Sequence, residues 1–314
     1  MKKKAIIISL SGFRLSKSEI GIFKNYLPWG VILFKRNIKD LNQLKKLIIS
    51  IKIITKDKNY PILIDEEGGE VSRLKDIIKN RIFSQKYFGQ IYEKNSVIGA
   101  GIYKYYINQM SSIFNSVGIN MNTVPVLDKL YGFTNSFLKN RIYSSNIKTI
   151  QSLSKICIDT YKKKKISTVI KHIPGHGLAK LDSHKKLPIV NQSLNFLLKN
   201  DFKCFKGNNS HFAMTAHILF KKIDSKNCVT HSKTIIKQII RKEIGYKGII
   251  ISDDISMKAL KYGLVENALK SLKAGCNLTL YCQGRPMESL KLLKKIPPID
   301  EFTKKKTSQF YNFL

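Results

Sequence analysis

Eight short, β-branched apolar runs recur along this chain, each separated from the next by a longer stretch with helical content, and that alternation restricts the folds open to it. In order they are "AIIISLSG" (5–12), "GVILFKRN" (30–37), "PILIDEEGG" (61–69), "INMNTVPVLD" (119–128), "STVIKHIPGHG" (167–177), "FAMTAHILF" (212–220), "GIIISDDISM" (248–257) and "CNLTLYCQG" (276–284). Runs of this kind are typical of strands buried on both faces, as in a parallel sheet. After the second run, Leu41, Leu44, Leu47 and Ile48 recur at helical spacing. Eight β/α alternations without a convincing linker predict an α/β protein built as a single (β/α)8 barrel over residues 1–314. From about residue 295 the chain is expected to form a surface tail whose aromatics dock back onto the body. A doubly wound open sheet is the alternative, but it usually has fewer strands and a Gly-rich first turn, which is absent here.

The charge is lopsided, with 56 basic against 21 acidic residues and a formal net charge of +35. Nucleic acid, anionic lipid or an acidic ligand would suit such a surface. However, 49 of the basic residues are Lys and only 7 are Arg. Nucleic-acid readers rely on Arg forks, so the excess reads as compositional drift that fills solvated positions with Lys, and no specific nucleic-acid partner is expected. The five cysteines are odd in number and show no CxxC spacing, which argues against a disulfide framework and for a reducing compartment. "MKKKAIIISLSG" has the charge of a signal peptide, but its apolar run is short and no cleavage site follows closely, so it reads as a first strand. No stretch is long enough to span a bilayer, and a cytoplasmic location is expected.

Polar residues end several of the runs, and in a barrel that end forms the active-site face. Asp65, Glu66 and Glu67 end the third, Asp128 the fourth, Lys171 and His172 the fifth, His217 the sixth, and Asp253 with Asp254 the seventh. In "ISDDISM" a carboxylate nucleophile and a helix cap are both possible, with Asp253 reaching the pocket and Asp254 serving the backbone or a neighbouring cation. In "IDEEGGEVSRL" two glycines allow a sharp turn that brings Arg73 back towards Asp65. That pair could grip vicinal hydroxyls or be an ordinary surface ion pair, worth little.

"IKHIPGHGLAKLDSH" (170–184) holds three of the six histidines. As a metal site it offers His172, His176, Asp182 and His184, but Pro174 and Gly175 interrupt the spacing that a helical HExxH zinc site needs. The spacing of a phosphate loop is also missing. A third reading gives Lys171 and His172 to ligand hydroxyls and "PGHG" to the turn. Asp182 then hydrogen-bonds one ring nitrogen of His184, leaving the other for proton transfer.

Taken in order, "IDEEGGEVSRL", "NRIYSS", "KHIPGHG…DSH" and "ISDDISM" resemble the motifs of bacterial β-N-acetylglucosaminidases of glycoside hydrolase family 3, with weaker echoes over nearly the whole chain. The resemblance implies that Asp253 is the nucleophile, His184 the acid/base and Asp182 the residue that orients it. It implies sugar-binding roles for Asp65, Arg73, Arg141, Lys171 and His172. It further implies retaining, metal- and cofactor-free removal of terminal GlcNAc from cell-wall turnover fragments such as GlcNAc-1,6-anhydroMurNAc, with or without peptide. The partner is thus an amino-sugar oligosaccharide or muropeptide, and the protein is expected to act as a monomer. Glu66, Glu70, Ile142 and Asn146 depart from the family pattern, which bears on affinity and aglycone preference more than on catalysis.

The alternatives are a β-glucosidase, β-xylosidase or phosphorylase of the same family, a degenerate cationic binding module, and a metal-dependent hydrolase. The glycosidases of that family often draw their acid/base from a second domain, for which a barrel of this length leaves no room.

Overall fold

The computed structural model describes residues 2–183 and 185–314. Eight strands close a parallel barrel: β1 (Lys3–Ser9), β2 (Leu27–Leu33), β3 (Ile62–Ile64), β4 (Met121–Asn122), β5 (Ser167–Ile173), β6 (Phe212–Thr215), β7 (Ile249–Asp254) and β8 (Leu278–Tyr281). Each pairs with its neighbours in the sequence, and β8 returns to β1, where Ile7 stands opposite Leu280 on one side and Gly30 on the other. The expected (β/α)8 barrel is therefore the fold, and every expected run overlaps one of its strands.

The strands differ from the runs mainly at their ends. β2 starts three residues earlier than the run and gives way to a 3-10 turn at Lys35–Asn37. β4 keeps only two residues, because Pro125 has no N–H to give the ladder. The pairing resumes beyond it as a single bridge between Val126 and Lys171. A short parallel pair, Ile189–Val190 with Leu219–Phe220, lies outside the barrel.

Helices pack around the barrel with their entry points set by side-chain caps. Ser16 and Glu19 form a reciprocal capping box for the helix Lys17–Asn25, and Asp40 caps Leu41–Thr55. The helix Gln85–Lys94 approaches its neighbours so closely that a Cβ on Gly89 would stand 1.8 Å from the Tyr143 carbonyl oxygen. The chain beyond residue 295 forms the helix Glu301–Phe313, capped by Asp300. Its Thr307 accepts a hydrogen bond of 2.9 Å from the Trp29 indole, and Phe310 packs against both Trp29 and Phe212. Trp29 and Phe212 sit early in β2 and at the start of β6, so this helix closes the barrel end opposite the polar strand ends. Among the described residues no helix is long and apolar enough to cross a membrane.

Candidate active site

The polar strand ends surround one cavity of about 540 Å³, and its lining includes Asp65, Arg73, Arg141, Lys171, His172 and Asp253. Six of the eight residues expected at the site are thus brought together from β5, β7 and the loops after β3 and β4. Asp182 belongs to the loop after β5, where its carbonyl accepts from the Lys185 and Lys186 N–H groups at 3.0 and 3.1 Å, and its neighbour Ser183 lines the cavity. His184 lies outside the described residues.

The floor of the cavity is a web of charge. Lys171 Nζ lies 2.6 Å from Asp65 Oδ1 and 2.6 Å from Glu67 Oε1, and donates to Thr123 Oγ1 at 3.0 Å. Arg73 pairs with the other oxygen of Asp65, and the Thr123 hydroxyl donates to Asp65 as well. Arg141 grips Glu67 bidentately, with Nε and Nη2 each 2.8 Å from a carboxylate oxygen. Burial alone would push the Asp65 carboxyl up, but Lys171 and Arg73 together hold it well below the usual carboxylate range. Burial likewise opposes ionisation of Glu67, and Arg141 and Lys171 override it. Two carboxylates and three cations leave this wall with one net positive charge.

The local sequence explains how the loop after β3 supplies so many of these groups. Gly68 and Gly69 take φ of +83° and +63°, and a Cβ on Gly68 would lie 2.2 Å from the Phe83 carbonyl oxygen. This reversal returns Arg73 to Asp65, as the spacing predicted. Glu66, by contrast, is structural: it accepts from the N–H groups of Arg73 and Leu74 at 2.7 and 3.0 Å and from Asn80 Nδ2 at 2.8 Å. The other departures from the family pattern are also accounted for. Ile142 is fully buried, Asn146 caps the helix Ile147–Lys163, and Glu70 accepts from Asn140 Nδ2 at the rim.

His172 owes its orientation to Asp128, whose Oδ2 is 2.7 Å from the imidazole Nδ1. Burial raises the Asp128 carboxyl, but the nearby His172 outweighs it and keeps the group ionised, so Nδ1 carries the proton. The peptide between Lys171 and His172 is cis. At the end of β7 the two acids divide. Asp253 lines the cavity, and its own carboxylate accepts the Asp254 N–H at 2.7 Å. Asp254 accepts from the backbone N–H and the hydroxyl of Ser256 and from Gln283 Nε2, which ties together the loops after β7 and β8. Buried His217 donates through Nε2 to the Asp254 carbonyl at 3.0 Å and accepts from Thr230, steadying the strand end beside Asp253.

Three members of the site had no assigned role in the sequence: Glu67, Thr123 and Asp128. Glu67 and Asp128 were visible as strand-end acids, but their partners were not. Thr123 carried no signal beyond its position in the fourth run.

A polar, walled cavity at the C-terminal mouth of a (β/α)8 barrel, lined by a carboxylate and by a clamp of fixed donors and acceptors, marks the chain as a barrel enzyme with a site for a polar ligand. The chain belongs to glycosyl hydrolase family 3, whose N terminal domain matches residues 3–304. It is similar to the beta-hexosaminidase of Neisseria meningitidis serogroup A, with 31% identity over 287 residues covering 90% of this chain and 78% of the relative. It is also similar to the beta-hexosaminidase of Haemophilus influenzae, with 29% identity over 93% of this chain and 85% of the relative. Among solved structures it resembles NagZ from Neisseria gonorrhoeae in complex with N-trifluoroacetyl-D-glucosamine, with a TM-score of 0.89 and 28% identity over 99% of this chain and 90% of that one. The family read from the motifs is therefore the family of the chain.

Proposed function

We propose that this chain is a retaining exo-β-N-acetylglucosaminidase that removes terminal GlcNAc from peptidoglycan turnover fragments, such as GlcNAc-1,6-anhydroMurNAc with or without peptide. The observation that carries the reading is Asp253 lining the same cavity as the Asp65–Lys171–Glu67–Arg141 web, in a family-3 barrel. The beta-hexosaminidase relatives and the N-trifluoroacetyl-D-glucosamine held by a structural neighbour support GlcNAc as the sugar.

Asp65 accepts from sugar hydroxyls, Arg73, Lys171 and Arg141 donate around it, and His172 accepts through the ring nitrogen that Asp128 leaves unprotonated. Asp253 attacks the anomeric carbon and displaces the aglycone, whose oxygen takes a proton from His184, giving a covalent glycosyl-enzyme. Neutral His184 then deprotonates a water, which attacks the same carbon and releases GlcNAc with retention. Asp182 fixes the ring's tautomer through one nitrogen, and a histidine suits this exchange near neutral pH. Residues 1–314 act as one catalytic unit, monomeric and cytoplasmic, where wall fragments are recycled.

Hydrolysis of a chromogenic N-acetyl-β-glucosaminide beside the matching glucoside tests the sugar. Asp253→Asn should abolish turnover of the glucosaminide. His184→Ala should lower kcat/KM on substrates with poor leaving groups far more than on activated aryl glycosides, since only the former need protonation. Equal losses on both would sink the acid/base assignment.

A further inference from the structure

His176 is a titratable group in the cavity wall that the chemistry above leaves unused. Its backbone N–H donates to Asp128 Oδ1 at 2.7 Å, so the carboxylate that orients His172 also anchors His176. Its side-chain Nε2 lies 3.3 Å from Ser183 Oγ, and its Nδ1 is buried without a partner among the described residues. A buried N–H left without an acceptor costs more than an idle lone pair, so the proton belongs on Nε2 and is donated to Ser183. Burial and the neighbouring His172 hold the His176 pKa down to about 4, which keeps the ring neutral wherever a near-neutral enzyme works.

Ser183 stands in the sequence between Asp182 and His184. The stem of the same loop is strapped to the loop after β4. Thr134 Oγ1 donates to the Gly177 carbonyl at 2.8 Å, the Asn135 N–H to Ala179 at 3.3 Å, and Asn135 Nδ2 to Lys180 at 3.0 Å. The approach is so close that a Cβ on Gly177 would stand 1.9 Å from the Lys129 carbonyl oxygen. These straps reach as far as Lys180, and the His176–Ser183 bond lies beyond it.

We infer that His176 is a positioning residue: by holding the Ser183 hydroxyl at the cavity wall it sets where the flanking Asp182 and His184 stand relative to Asp253, while Thr134 and Asn135 fix the stem of the loop. The inference rests on the acid/base role proposed above for His184. It gives the "PGHG" segment a task beyond turning the chain, since Gly177 permits the close approach and His176 supplies the hold.

Replacing buried His176 itself risks the wall, so the hydroxyl it holds is the better target. Ser183→Ala should lower kcat/KM on an N,N′-diacetylchitobiose-type substrate, whose sugar leaving group needs protonation, on the order of tenfold or more. It should leave an activated dinitrophenyl glycoside within about twofold, because that leaving group departs without an acid. Ser183→Thr, which keeps the hydroxyl, should restore the disaccharide rate. Asn135→Asp retains an oxygen to cap Phe137 N, now 3.0 Å away, and puts a charged acceptor in place of the donor to the Lys180 carbonyl, so it should act in the same direction as Ser183→Ala. Equal losses on both substrates, or no loss on either, would overturn the inference. If His184→Ala separates the two substrates and Ser183→Ala does not, this inference alone fails. If His184→Ala does not separate them, the acid/base reading and the inference fall together.

Discussion

Lys171 is almost wholly buried between two carboxylates, and among the described residues its ammonium is the cation that pairs with both Asp65 and Glu67. Arg73 and Arg141 each serve one of these acids. Lys171→Met therefore leaves buried Glu67 and partly buried Asp65 short of a counter-charge and should cost about 3–5 kcal/mol, whereas Arg73→Met, at the more exposed edge, should cost about 1 kcal/mol. Denaturant unfolding of both variants checks the contrast, and equal costs would refute it. Asp201 gives a prediction of opposite sign. Burial pushes its carboxyl up to about 6, despite the hydrogen bond it accepts from the Tyr131 hydroxyl at 2.6 Å. The folded protein keeps this proton to higher pH than the unfolded chain does. The associated stability is thus complete below pH of about 4 and lost as pH rises through about 6. Asp201→Asn, which keeps an acceptor for Tyr131, should raise stability above pH 7 by up to about 3 kcal/mol, with the gain vanishing towards pH 4. Thermal melts across that range would show it, and a gain that grew on acidification would contradict it.

At the scale of elements, the apolar runs were legible because burial on both faces imposes a composition on parallel strands. Their ends were less so. β4 ends at Asn122 because Pro125 interrupts the ladder, yet the sequence remains apolar to Leu127, and side-chain hydropathy does not report where backbone pairing stops. The same holds for helix contacts. Nothing in "QKYFGQIYEK" marks Gly89 as more than a weak point in a helix, but the Tyr143 carbonyl occupies the space its side chain would fill. Gly89→Ala gains helix propensity and should still destabilise the protein by about 1–3 kcal/mol, because either the helix or the loop after β4 must move. A rise in melting temperature for this variant would show that the contact gives way easily.

For the molecule as a whole, a net charge of +35 on one barrel means that lysines around the helical shell repel one another at distances that salt screens. The melting temperature should rise between about 20 and 300 mM sodium chloride, where the screening length shortens from roughly 20 to 6 Å. A fall over that range would mean that attractive ion pairs dominate the surface. The web in the cavity is buried, and its ion pairs are expected to be much less sensitive to the same change.

The sequence by itself determined the eightfold alternation, the family, and the strand ends on which the chemistry sits, because these depend on local composition and on motifs read within a few residues. Only the tertiary structure decided the partnerships. Lys171 meets Asp65 from 106 positions away, and Arg141 meets Glu67 from 74. Asp128 serves His172 and His176 together, and the C-terminal helix seals the barrel beneath Trp29. A closed barrel brings the ends of all eight strands around one axis, so each side chain's partner is set by register and tilt, which no local pattern encodes. For that reason Asp65 and Arg73, eight residues apart across a glycine turn, could be paired on paper, and Glu67 with Lys171 could not.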